Sequence, residues 1–124
     1  MGERIMDREQ KILGGAKKVV HQCLILKSNE TLTILADWEN QKTAEALRAA
    51  GDECGAEVVV LLMERRRRHG EDPPTRLIEP IKQSDAAVLA SVFSLSNSAA
   101  RIEACEAGTR VISIPGASQD LLME

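Results

Sequence analysis

Four short apolar runs, set apart by amphipathic and polar segments, constrain this chain more than any other feature. They are Leu32–Ala36 (LTILA), Ala56–Met63 (AEVVVLLM), Asp85–Ala90 (DAAVLA) and Arg110–Ile114 (RVISI). Each is nearly continuous in apolar residues instead of alternating, which is the pattern of a strand covered on both faces. Strands that alternate with helices build βαβ units and a parallel sheet, and right-handed crossovers place helices on both sides of it. The expected fold is therefore α/β: a three-layer α/β/α sandwich around a four-stranded parallel sheet. The flavodoxin-like order 2-1-3-4 is favoured over the Rossmann-type 3-2-1-4. An extra helix at the N-terminus completes the set. With 124 residues, against ~150 for an average domain, residues 1–124 are expected to form a single α/β domain.

Local signals place the remaining elements. Residues 5–26 read as a helix with Ile12, Ala16, Val19, Val20, Cys23 and Leu24 on one apolar stripe, weakened in the middle by Gly14-Gly15. Asp37 can cap the next helix through its carboxylate. That helix runs to about Cys54, with Gly55 as a left-handed C-cap. Pro74 can open a helix, and Pro80 is expected to interrupt it, giving two short pieces or a kink between Thr75 and Gln83. Residues 99–107 form a helix with Ile102 and Cys105 turned inward and Gly108 as its C-cap. Ser118 or Gln119 opens a last helix that stops after about one turn, too short to stand alone, so the chain is expected to be cut from a longer protein.

Composition removes several function classes. Aromatic residues make up 2% of the chain, one Trp, one Phe and no Tyr, and the net charge is −3. Neither stacking platforms nor a basic surface is available, so no nucleic-acid partner is expected. No run approaches the ~18 consecutive apolar residues of a membrane span. The opening MGERIMDREQ has no apolar stretch of the signal-peptide kind. Cys23, Cys54 and Cys105 are odd in number and far apart, which fits buried free thiols in the cytoplasm better than disulfides or a CxxC metal half-site.

Ligands of open α/β sheets bind beyond the carboxyl ends of the strands, at the point where strand order reverses. Those ends carry Asp37-Trp38, Glu64-Arg65, Ser91 to Asn97 and Pro115-Gly116. No glycine-rich phosphate loop follows any strand, and no GxSxG, HExxH or HxH spacing occurs. Asp37 as a phosphoacceptor or metal ligand would require a lysine after a later strand, where Pro115-Gly116 stands instead. Either Asn97 or Ser98 caps the helix that follows, or the Ser94, Ser96 and Ser98 hydroxyls and the free helix N–H groups hold a carboxylate or phosphate, with Arg101 one turn on adding charge. Arg65–Arg68 is read as a solvated loop, or as one that pairs with acidic residues of a partner, since Glu71 and Asp72 partly neutralise it. His21 and His69 form no metal-ligand spacing. No catalytic and no metal-ligating residue is expected in this chain. The candidate ligand or interface residues are Asp37, Trp38, Ser94, Ser96, Asn97, Ser98 and Arg101.

Several phrases taken together carry a resemblance. They are the helix ending in Cys23-Leu24-Ile25-Leu26-Lys27, LTILAD, AGDECGAEVVVLLM, the basic loop ending in Gly70-Glu71-Asp72-Pro73-Pro74, and IKQSDAAVLA. The most specific stretch is Ser94–Gly116, with Ala100, Arg101, Gly108, Arg110, Ser113, Pro115 and Gly116. In order and spacing, the chain from Glu3 to Glu124 resembles the N-terminal domain of the thermophilic metallo-aminopeptidase family (leucyl aminopeptidase or aminopeptidase T type). It is also similar to the related 2,5-dihydroxypyridine 5,6-dioxygenases. Two departures stand out: the family more often has Thr and His within the Ser94–Ser98 stretch, and Pro80 interrupts a helix usually free of it.

The resemblance implies a metal-dependent parent activity whose ligands lie in a larger C-terminal domain, so no divalent metal or other cofactor is expected in this chain. It implies a non-catalytic lid or assembly domain, partnered by that catalytic domain or by further copies of itself. The alternatives are a stand-alone small-molecule binding module around the strand ends and an oligomerisation module acting through the first helix.

Overall fold

The computed structural model describes residues 2–95 and 98–115. The chain runs α1 (Gly2–Lys18), a wider π turn (Val19–Cys23), β1 (Thr31–Asp37), a 3-10 turn (Trp38–Asn40), α2 (Gln41–Glu53) and β2 (Glu57–Met63). It continues with a second 3-10 turn (Thr75–Leu77), α3 (Ile78–Lys82), β3 (Ala86–Ser91), α4 (Ala99–Glu106) and β4 (Arg110–Pro115). All strand pairs are parallel, in the order β2-β1-β3-β4. The expected flavodoxin-like order is the one observed.

Burial follows from the pleat. Leu32, Ile34 and Ala36 of β1, with Ala86, Val88 and Ala90 of β3, face a core shared with Val20, Leu24, Ala44, Leu47 and Ala50. Leu35 of β1, with Ala87 and Leu89 of β3, faces a second core with Ile81, Leu95 and Ala104. α1 and α2 therefore cover one face, and α3 and α4 the other. Gly51 lets α2 approach closely, because a Cβ there would lie 2.8 Å from Val58 Cγ2.

β1 and β3 are buried along nearly their whole length, as the apolar runs require. β2 is not. Every second residue from Glu57 to Val59 is exposed and only Met63 is fully buried, because β2 sits at the sheet edge. A continuous apolar run does not distinguish a central strand from an edge strand.

The leading helix also differs from expectation. Buried Ile12, Ala16, Val20 and Leu24 recur every four residues. In a pure α-helix such steps drift by about 40° each. The π turn, closed by Leu24 N–H on the Val19 carbonyl (2.9 Å), takes up that drift and turns Cys23 out to solvent. Ile25 then adopts φ +50°, a left-handed conformation costly for a β-branched residue, while its neighbours Leu24 and Leu26 stay buried.

Other expectations are met or corrected. Both glycine C-caps hold, with Gly55 at φ +83° and Gly108 at φ +97°. Each is followed by an N–H that reaches back five residues: Ala56 to the Gly51 carbonyl and Thr109 to the Ala104 carbonyl. The two short helical pieces around Pro80 are present, but they meet at Ile78, and Pro80 lies in the first turn of α3, where its missing N–H costs nothing. In α4 the inward residues are Ala100 and Ala104; Ile102 is 48% exposed and Cys105 is exposed. Ala100 and Ala104, four residues apart, form the buried face of α4. All three thiols are free, yet none is buried. The last helix expected from Ser118 falls outside the described residues.

At the amino ends of the strands, Arg110 ties three segments together. Its Nε donates to the Leu24 carbonyl (2.9 Å), and Nη1 and Nη2 donate to the two Glu30 carboxylate oxygens (3.1 and 2.7 Å). Glu30 also accepts the Lys27 N–H (2.9 Å). The Arg110 hydrogen bond, helped by that of Lys27, holds the Glu30 carboxyl below its ordinary value of 4.5. A carboxylate lowered in the folded state stabilises the fold above its ordinary value, and that contribution is lost as pH falls through the lower folded value. Urea midpoints measured from pH ~6 to ~3 are expected to fall more gently for Glu30→Gln than for the parent chain.

Candidate functional site

Parallel sheets place their chemistry beyond the strand carboxyl ends, and here the order reverses between β1 and β3. Asp37, the last residue of β1, lies at that point and is fully buried. Its extended backbone (φ −81°, ψ 163°) precedes the 3-10 turn, but its carboxylate does not cap the helix as expected. Oδ1 accepts from Asn40 Nδ2 (2.5 Å), and Oδ2 accepts the Val92 N–H just past the end of β3 (2.7 Å). A buried carboxylate is tolerated when strong donors satisfy it. Asp37 bridges the two central strands across the crevice and presents no exposed oxygen.

A second layer of contacts closes the rim beside it. His69 Nδ1 accepts the Ser94 N–H (2.9 Å), and the Ser94 carbonyl accepts the Gly70 N–H (2.8 Å). The His69 ring meets Phe93 edge-to-face at 5.1 Å. Ser91 Oγ donates to the Phe93 carbonyl (2.5 Å). Arg66 folds back on its own loop, its guanidinium donating to the Glu64 and Asp72 carbonyls. Arg65 pairs with Glu39 at 3.4 Å across exposed surface. The polar loop of residues 64–74 is thus fastened onto the turn that follows β3.

The start of α4 shows both sides of its sequence reading. Ser98 is the N-cap: its Oγ accepts the Arg101 N–H (3.3 Å) and donates to the Leu95 carbonyl (2.7 Å). A carboxylate also sits at this helix start, and it belongs to the chain itself, since Asp72 Oδ1 accepts the Ala99 N–H (2.7 Å). Partial charge at a helix N-terminus favours an anion there.

Of the sequence candidates, Asp37 and Ser94 are brought to one rim through Val92. Trp38 stands beside Asp37, 57% exposed. Ser98 and Arg101 share the first turn of α4, where Arg101 is half-buried. Ser96 and Asn97 lie outside the described residues. Sequence reasoning missed Asn40, His69, Asp72 and Phe93. Asn40 carries a local signal three residues after an aspartate, whereas the loop contacts join residues 25 and 27 positions apart and have none.

A divalent metal does not fit these residues. Among the described residues no three His, Cys, Asp or Glu side chains converge as ligands. Asp37 has both oxygens engaged, His69 Nδ1 holds a backbone N–H, and His21 Nδ1 lies 3.4 Å from Cys54 Sγ. Among the described residues no helix is long and apolar enough to cross a membrane.

Fold and rim together define a doubly wound α/β module whose switch-point carboxylate, Asp37, is buried and bonded within the chain. No protein-family profile matches the chain, and no curated protein matches it. Solved structures do match it, among them two much longer chains. A 2,5-dihydroxypyridine dioxygenase from Pseudomonas putida superposes with a TM-score of 0.64 at 16% identity, over 82% of this chain and 33% of the dioxygenase. AmpT, an aminopeptidase T from Thermus thermophilus, superposes with a TM-score of 0.60 at 15% identity, over 92% of this chain and 41% of AmpT. The chain spans well under half the length of either protein, and the likeness establishes a shared fold and a distant structural relationship.

Replacing Asp37 by alanine removes the acceptor of the Val92 N–H and of Asn40 Nδ2. A loss of about 2–4 kcal/mol is expected, from two hydrogen bonds to a buried charged group. Chemical denaturation of Asp37→Ala against the parent chain checks it.

Proposed function

We propose that this chain is a non-catalytic lid or assembly domain of the kind found at the N-terminus of metal-dependent aminopeptidases. The observation that carries this reading is the pair of superpositions. One α/β unit, nearly the whole of this chain, recurs as 33% of a dioxygenase and 41% of an aminopeptidase T. Two enzymes named for different reactions share it, so the shared unit supports shape and assembly while the chemistry resides elsewhere. The switch point supports the same reading, because both Asp37 carboxylate oxygens, His69 Nδ1 and Asp72 Oδ1 are engaged within the chain. The partner is a C-terminal catalytic domain or a further copy of the chain, and the divalent metal belongs to that catalytic domain. Exposed free Cys23 and Cys105 fit a reducing compartment, the cytoplasm. The purified chain, incubated with leucyl anilide and added zinc, cobalt or iron, is expected to release no aniline. Metal-dependent release would overturn the reading.

Trp38 favours a second reading. An exposed indole beside the strand ends suits a stand-alone small-molecule module that uses Trp38 with Ser94 and Arg101. Trp38 is the chain's single tryptophan, so its emission reports any ligand at this rim. Under the first reading, emission stays constant across a panel of amino acids, small carboxylates and aromatic acids; a saturable shift would establish the second.

A further inference from the structure

The outer edge of β2 is built differently from the other strand edge of the sheet. β4 opens with Arg110 and closes with Pro115, and proline cannot donate to a neighbouring strand. β2 carries seven residues, EVVVLLM, with neither a charge nor a proline from Val58 to Met63. Natural sheets protect such edges with lysine, proline or bulges, because an open apolar edge pairs with another strand. Among the described residues no strand pairs with this one, and Val59 is 36% exposed on it.

The hydrogen-bond phase of the edge follows from the inner ladder. The Glu57 N–H donates inward to the Glu30 carbonyl (2.9 Å). Backbone groups alternate sides along a strand, so Val59, Leu61 and Met63 also point inward to β1. The N–H and C=O of Val58, Val60 and Leu62 point outward.

Charge completes the pattern. β2 begins at Glu57 and runs directly into Glu64 and then Arg65–Arg68. A strand that is acidic at its start and basic beyond its end is complementary to an antiparallel copy of itself. We propose that β2 pairs with β2 of a second copy of this chain about a twofold axis at Val60. Val58 then lies opposite the partner's Leu62, and every outward donor and acceptor of these three residues is used. Glu57 then lies opposite the partner's Met63, the last residue of β2, beside the start of the partner's basic loop, in which Arg65 pairs with Glu39 of its own chain. The two sheets become one continuous sheet. This interface differs from the first-helix surface expected from sequence and does not depend on the lid reading.

Two variants test it on the intact chain. Val59→Lys places like charges near the axis on an exposed position. Val60→Pro removes an outward N–H without touching the bonds to β1. Sedimentation is expected to show a reversible dimer for the parent chain. Val59→Lys is expected to raise its dissociation constant about tenfold or more, and Val60→Pro to abolish it, each with circular dichroism unchanged. Residue-resolved amide exchange is the second readout, independent of any mutation: the Val58, Val60 and Leu62 amides gain protection as concentration rises, while inward-pointing neighbours stay the same. A parent chain that stays monomeric at high concentration would overturn the proposal. So would a dimer in which those three amides exchange freely, or one that Val59→Lys leaves intact.

Discussion

Burial of β1 and β3 between two helical layers is the constraint on which the rest of this structure depends. Once both faces of a strand are dry, its backbone groups have only neighbouring strands as partners, and its side chains must be apolar. The runs LTILA and AAVLA meet that condition except at Thr33, whose hydroxyl is satisfied by Ser84 Oγ, and every residue from Leu32 to Asp37 and from Ala86 to Ser91 is buried. Polar chemistry is pushed to the two ends of the strands. At the amino ends Arg110 gathers the Leu24 carbonyl and Glu30. At the carboxyl ends Asp37 gathers Val92 and Asn40. The sheet is pinned at both ends by ionic groups that would have no place in its middle.

Wherever local physics decided the outcome, the amino-acid sequence was a good guide. Strand positions, parallel order, glycine C-caps and the Ser98 N-cap all rest on patterns within a few residues. Expectations failed where the deciding contact was distant. The run AEVVVLLM looks the same at an edge as in the centre, and the expected strand order, not the run itself, is what places β2 outside. The inward face of α4 was assigned to Ile102 and Cys105 because they are the larger apolar residues, whereas close packing selected Ala100 and Ala104. Cys23 fell on the apolar stripe of a regular helix, and the π turn rotated it out. The candidate site divides in the same way. The positions of Asp37 and Ser94 at strand ends were legible, but the docking of the His69–Asp72 loop onto them was not, because no pattern within that loop names its partners.

The closed rim bears on what a module like this contributes. A switch point that binds a substrate leaves donors and acceptors unpaired in a cleft. Here His69, Asp72 and Asp37 are paired with backbone N–H groups of the same chain, and the loop of residues 64–74 lies across the turn after β3. What stays exposed is of another kind: an indole, several guanidinium groups and an apolar strand edge. Such surfaces meet other proteins more readily than they enclose small molecules.

The Arg110 clamp carries a consequence for how the chain is made. Arg110 lies 86 residues after Leu24 and 80 after Glu30. During synthesis from the N-terminus, the first helix and the turn into β1 leave the ribosome long before the guanidinium that fastens them. β3, the strand that buries β1 on its second side, is also made late. The early half of the chain therefore waits with an unfastened turn until β4 emerges. Folding in the order of synthesis gains little here, because the clamp closes only with β4.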